Sequence, residues 1–124
     1  MPADFSQKVK QLLHTGRIED ARCVAERMTL ENPADAHGWL LLGSVLMTLG
    51  RPVIATEPLR KARALAPGNR AITDNLYHAL IQAGQRLESL SKNEGAEAVY
   101  REAIAIYPDP IPARQFVQLR KSLP

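Results

Sequence analysis

The 124 residues make one domain's length, and 45% hydrophobic with 23% charged residues is an ordinary globular balance that excludes a disordered chain. A single cysteine, Cys23, excludes an internal disulfide and a multi-cysteine metal cage; no apolar run approaches the roughly 20 residues of a membrane span, and the N-terminus lacks the basic-then-apolar order of a secretory signal. A net charge of +3 is too small to point to nucleic acid by itself, so the composition predicts a soluble chain of a reducing, cytoplasmic compartment.

Spacing organises the chain. Gly16, Gly50 and Gly84 are each 34 residues apart, each with an arginine close behind. Pro33 and Pro67 are also 34 apart, but the next matching proline, Pro108, is 41 on. Ala21 to Ala55 is again 34, and Ala55 to Ala96 is 41. A fixed period in this range signals a stacked repeat. The glycines keep the 34 and the alanines lose it, which predicts three units at about 2–35, 36–69 and 70–110, with a seven-residue insertion between 84 and 96.

Each unit reads as two helices. In the first, Leu12 precedes Gly16, and Ala21 and Pro33 follow. In the second, Trp39, Leu42, Val45, Leu46 and Leu49 share one face at helical period, with Trp39 expected at its centre. Asp35 suits the start of that helix and Gly50 its end. Pro52 suits the first turn of the next helix, where Ala55, Leu59, Ala62 and Leu65 form the apolar stripe. Pro58 is a misfit inside it, and predicts a kink or a helix that starts near Thr56 and Glu57.

In the third unit, Leu76, Leu80, Ala83, Leu87 and Leu90 run through Gly84, so the helix is expected to reach about Ser91, with a turn over Lys92, Asn93, Glu94 and Gly95. A loop over 85–95 is the alternative. A last amphipathic segment, about 112–123, carries Phe116, Leu119 and Leu123 and is expected to cap the stack.

The middle unit, with Trp39-x-x-Leu42-Gly43-x-x-Leu46 followed by Gly50, Ala55, Leu59, Ala62 and Pro67, resembles a tetratricopeptide repeat. The third unit is similar in its second half, through Ala96, Tyr100, Ala103 and Pro108, while Thr73 and Tyr77 depart from the pattern in its first. The first unit is degenerate, with Phe5 in the tryptophan place and Lys8 and Val9 replacing the Leu-Gly pair. The resemblance covers about residues 2–110. It implies an all-α superhelical solenoid of paired antiparallel helices, a concave groove lined by the first helix of each pair, and binding of a peptide or protein segment rather than catalysis.

The helical wheel of the middle unit sets His37, Leu40, Leu41, Ser44, Met47 and Thr48 opposite the core face. The same arc holds Ala3, Ser6, Gln7, Lys10, Leu13 and His14 in the first unit, and Ala71, Asp74, Asn75, His78, Ile81 and Gln82 in the third. Leu13, Leu40, Met47 and Ile81 would form an apolar strip with polar residues beside it, which suits a segment laid in a groove. The competing reading packs these apolar residues against a neighbouring helix or a second copy. Family members that clamp an acidic chaperone tail use lysine and asparagine in the first unit, asparagine in the second, and lysine and arginine in the third. Only Lys10 answers that pattern, so a chaperone C-terminal tail is not the expected partner.

His14, His37 and His78 fall on one arc but in three units, spaced by about a helix-packing distance, too far for one metal to gather. Cys23 has no histidine placed to activate it. No phosphate loop, paired-carboxylate or HExxH pattern is present, so neither cofactor nor metal is expected and the chain reads as no enzyme. Six aromatics without basic interleaving argue against a nucleic-acid platform. Three roles remain: an adaptor binding a protein segment, the N-terminal recognition domain of a larger enzyme, or a homo-oligomeric scaffold.

Overall fold

The computed structural model describes residues 5–108, and the expected capping segment at 112–123 lies outside them. Those residues form α1 (Phe5–His14), α2 (Ile18–Glu31), α3 (Ala36–Thr48), α4 (Pro52–Leu65), α5 (Arg70–Ser89) and α6 (Asn93–Ile106), with no strand among them. Consecutive helices pack on one another, and α1, α3 and α5 also touch in a row. The result is an all-α solenoid of helix pairs.

The ends of the helices follow from local chemistry. Asp35 accepts the His37 amide hydrogen at 3.0 Å and Asn69 accepts that of Ile72 at 3.2 Å, so α3 and α5 start on side-chain caps. The three turns within the pairs share one form. After α1 the amide of Arg17 bonds Leu12 O (2.8 Å) and that of Gly16 bonds Leu13 O (3.1 Å). After α3, Arg51 and Gly50 repeat this on Leu46 and Met47, and after α5, Lys92 and Ser91 repeat it on Leu87 and Glu88. This paired closure needs a left-handed residue, which is Gly16 (φ 80), Gly50 (φ 74) and, in the third turn, Ser91 (φ 61).

That third turn corrects the sequence reading. The helix α5 ends at Ser89, the turn is Leu90 to Lys92, and Asn93 to Gly95 are already the first turn of α6. Gly84 ends nothing. It is buried within α5, where an added Cβ would lie 2.5 Å from Tyr100 Cζ. Gly43 has the same role in the second unit, where a Cβ would lie 2.5 Å from Leu59 Cγ.

Gly43 and Gly84 are 41 residues apart, as are Leu59 and Tyr100, Gly50 and Ser91, and Ala62 and Ala103. Within the helix pairs, therefore, the third unit repeats the second at 41, and the surplus seven residues lie at the start of α5 rather than between Gly84 and Ala96. Because seven residues are nearly two turns, the apolar face survives the extension, which hid its position from the periodicity.

The core runs through the pairs: Val9, Ala21, Ala25, Val45, Ala55, Leu59, Ala79, Leu80 and Ala103 are fully buried. Trp39 is not at its centre. It is half-buried, its indole N–H donates to Pro33 O at 2.8 Å, and the Lys61 ammonium stands 6.0 Å from the ring centroid. It pins the inter-unit turn while Leu42, Val45 and Leu46 fill the interior.

Pro58 does not delay its helix. α4 begins at Pro52 and runs through Pro58 to Leu65, with Pro58 itself buried. Proline has no N–H to donate to the carbonyl of Ile54, so one bond of the helical ladder is missing there. Between units, Arg60 of α4 makes a two-pronged bond to the Glu102 carboxylate of α6, at 2.9 Å from Nε and 2.8 Å from Nη2.

Candidate functional site

The open face of α3 is set by what the helix buries. Gly38, Leu41, Leu42, Gly43, Val45 and Leu46 are buried, leaving His37, Leu40, Ser44, Met47 and Thr48 along the other side. Leu41, which the wheel set on the open arc, is a core residue at 9% exposure. A helix flanked by neighbours on both sides buries more than half its circumference, and a single-helix wheel does not register that.

Exposed positions on this face are Lys10 and His14 on α1, His37 and Thr48 on α3, and His78 and Gln82 on α5. Ser6, Leu13, Leu40, Ser44, Met47, Asp74 and Ile81 are partly buried. The four apolar ones, Leu13, Leu40, Met47 and Ile81, pack against the core cluster while keeping an open side. Their contacts thus satisfy part of the competing reading, and the remaining area faces outward.

Two of the residues singled out meet directly. Ser6 Oγ and His37 Nε2 are 3.0 Å apart, joining the start of α1 to the start of α3. Thr48 Oγ1 turns back to Ser44 O at 3.0 Å, which occupies its hydrogen. The histidines do not converge, since one exposed ring lies on each of α1, α3 and α5. Cys23 is exposed on α2.

With the third unit in its packing register, His78, Ile81, Gln82 and Gln85 stand where His37, Leu40, Leu41 and Ser44 stand in the second. Gln85, which the wheel did not single out, is exposed at the position of Ser44. The signal for it was already in the chain, in the spacing of Gly43 to Gly84 and of Pro67 to Pro108. Ala71, Asp74 and Asn75 lie two turns before that register and have no counterpart on α3.

Asp74 is where the polar contacts gather. Its carboxylate accepts the Tyr107 hydroxyl, and Arg70 approaches it at 4.0 Å. Tyr77 packs edge-on to Tyr107 with ring centroids 5.2 Å apart, and to His78 at 5.7 Å. The hydrogen bond to Asp74 holds the Tyr107 hydroxyl above its ordinary pKa. Tyr107 was not anticipated, because it follows α6 and reaches α5 only through the fold.

On the far side of the third pair, burial first and then the Glu88 carboxylate push Tyr100 up to about 12. An open depression at the α5–α6 turn is lined by Leu87, Lys92, Glu94 and Glu97 among others. Its charges are mixed, and Glu97 is already held by Arg101 at 2.5 Å.

No protein-family model and no curated protein sequence matches the chain. Solved structures do resemble it. The N-terminal domain of stress-induced protein-1 from C. elegans superposes with a TM-score of 0.68 at 13% identity, over 90% of this chain and 88% of that one. The first TPR of Spaghetti, bound to an HSP90 peptide, gives 0.60 at 18% identity, over 96% and 90%. The Yersinia enterocolitica type III secretion chaperone SycD, in complex with a peptide of the translocator YopD, gives 0.58 at 15% identity, over 96% and 86%. At these identities the likeness establishes the fold, which is that of tetratricopeptide-repeat domains.

Proposed function

We propose that the chain is a cytoplasmic, non-catalytic adaptor that binds a protein segment across the open faces of α1, α3 and α5. The observation that carries this reading is the set of half-open apolar side chains, Leu13, Leu40, Met47 and Ile81, on adjoining helices with Lys10, His37, Ser44, His78 and Gln82 beside them. Apolar anchors with a polar rim give a bound segment both area and orientation. Peptide complexes of similarly folded domains support the same direction. The partner we propose is not an acidic chaperone tail. The α5 positions that match His37, Leu40 and Leu41 in the packing register are His78, Ile81 and Gln82, none of them a lysine or an arginine.

The test is a Leu40→Glu, Met47→Glu protein, with helicity read by circular dichroism and ligand binding by calorimetry against peptides selected on the wild type. Helicity retained with binding lost supports the groove. Helicity lost assigns both residues to the core and overturns it.

A further inference from the structure

Resting on that groove, we propose a subsite on its third helix for a cationic side chain of the bound segment, an arginine or lysine, built from Asp74 with the rings of Tyr77 and Tyr107. The first ground is the extension of α5. Residues 70–76 have no counterpart on α3, so the open arc of α5 continues about two turns, roughly 10 Å, beyond the part matched by its neighbour. A segment seated on Leu40, Met47 and Ile81 meets this shelf on one side only.

The second ground is the chemistry of the shelf. The Asp74 side chain is 44% exposed, and an ionised carboxylate has about four lone-pair sites, of which Tyr107 takes one. The Tyr107 bond fixes the carboxylate in place, and the Tyr77 and Tyr107 rings meet edge to face next to it, where the apolar stem of an arginine or lysine can lie. A guanidinium already stands at this place: Arg70, its side chain 86% exposed, lies 4.0 Å from the carboxylate and also faces the Tyr107 hydroxyl. That solvated contact on one helix is weak, and a ligand's cation displaces it. On the other flank, Lys10 of α1 is exposed, whereas the only carboxylate on the extended part of α5 is Asp74, with Arg70 beside it. The bound segment is then apolar in the middle and basic where it lies over Asp74.

The test uses a phage-displayed random peptide library selected on the wild-type protein, followed by synthetic peptides of the recovered sequences. Recovered peptides are expected to carry Lys or Arg to one side of their apolar residues. Asp74→Asn should weaken them five- to twentyfold, and changing the peptide's basic residue to Gln should weaken binding equally, with no further loss when both changes are combined. An Asp74→Lys protein should prefer the same peptides with Glu at that place, and this gain of binding excludes misfolding as the cause. Peptides that need Leu40 and Met47 but bind Asp74→Asn unchanged overturn the subsite and leave the groove. Peptides that ignore Leu40 and Met47, or none recovered at all, overturn the groove and the subsite with it.

Discussion

The ring of Tyr100 covers Gly84 so closely that any Cβ there would stand 2.5 Å from its Cζ atom. Leu59 covers Gly43 in the same way, and this shared contact aligns the second and third units. It makes Gly84 a packing residue whose value is the absence of a side chain, in the middle of a helix that glycine otherwise weakens by about 1 kcal/mol.

Gly84→Ala should therefore destabilise the protein by about 1–3 kcal/mol, because overpacking outweighs the gain in helix propensity. Gly95 provides the control. Its added Cβ would meet Leu87 at 3.5 Å, an ordinary contact, so Gly95→Ala should be neutral or stabilising by up to about 1 kcal/mol. Urea unfolding of both variants checks this, and a Gly84→Ala protein as stable as wild type contradicts the close approach.

Ser91 occupies a left-handed position (φ 61) that glycine holds in the first two turns. An L side chain there costs about 1 kcal/mol that glycine does not. Ser91→Gly should raise stability by about 0.5–1 kcal/mol, while Gly50→Ala (φ 74) should lower it by a similar amount. Thermal unfolding of the two variants should shift in opposite directions. A fall in stability for Ser91→Gly would mean that the turn is closed in some other way.

Tyr100 carries a pH signature. Its hydroxyl is held protonated up to about 12 by burial and by Glu88, above the 10 of a free phenol. The raised folded value means its contribution is complete below pH 10 and is lost as pH climbs from 10 towards 12. Wild type should lose more stability than Tyr100→Phe across that window, measured by urea unfolding at fixed ionic strength. Parallel curves for the two proteins would show that the hydroxyl ionises freely.

Much of this fold was legible because its determinants are local. Asp35 capping α3, Gly50 closing it and Pro52 opening α4 follow from backbone chemistry within a few residues. The helix pairing followed from spacing, since a two-helix unit cannot bury its apolar stripe alone. The exposure of Lys10, His37 and His78 was also legible, because exposure on a packed helix keeps helical period.

What only the tertiary structure decided was which of several equivalent periodic readings is real. Gly84 fits both a 34-residue series with Gly50 and a 41-residue series with Gly43. A shift of seven leaves the helical face nearly unchanged, so periodicity cannot choose, whereas the contact with Tyr100 can. Trp39 has the size of a core residue, yet it is half-buried, with its N–H bonded to Pro33 O. Asp74 and Tyr107 are 33 residues apart and meet only when α6 folds back along α5. The sequence by itself determined the elements and the faces they turn outward, through bonding within single turns. The alignment of one unit on the next belonged to side-chain contacts made across the fold.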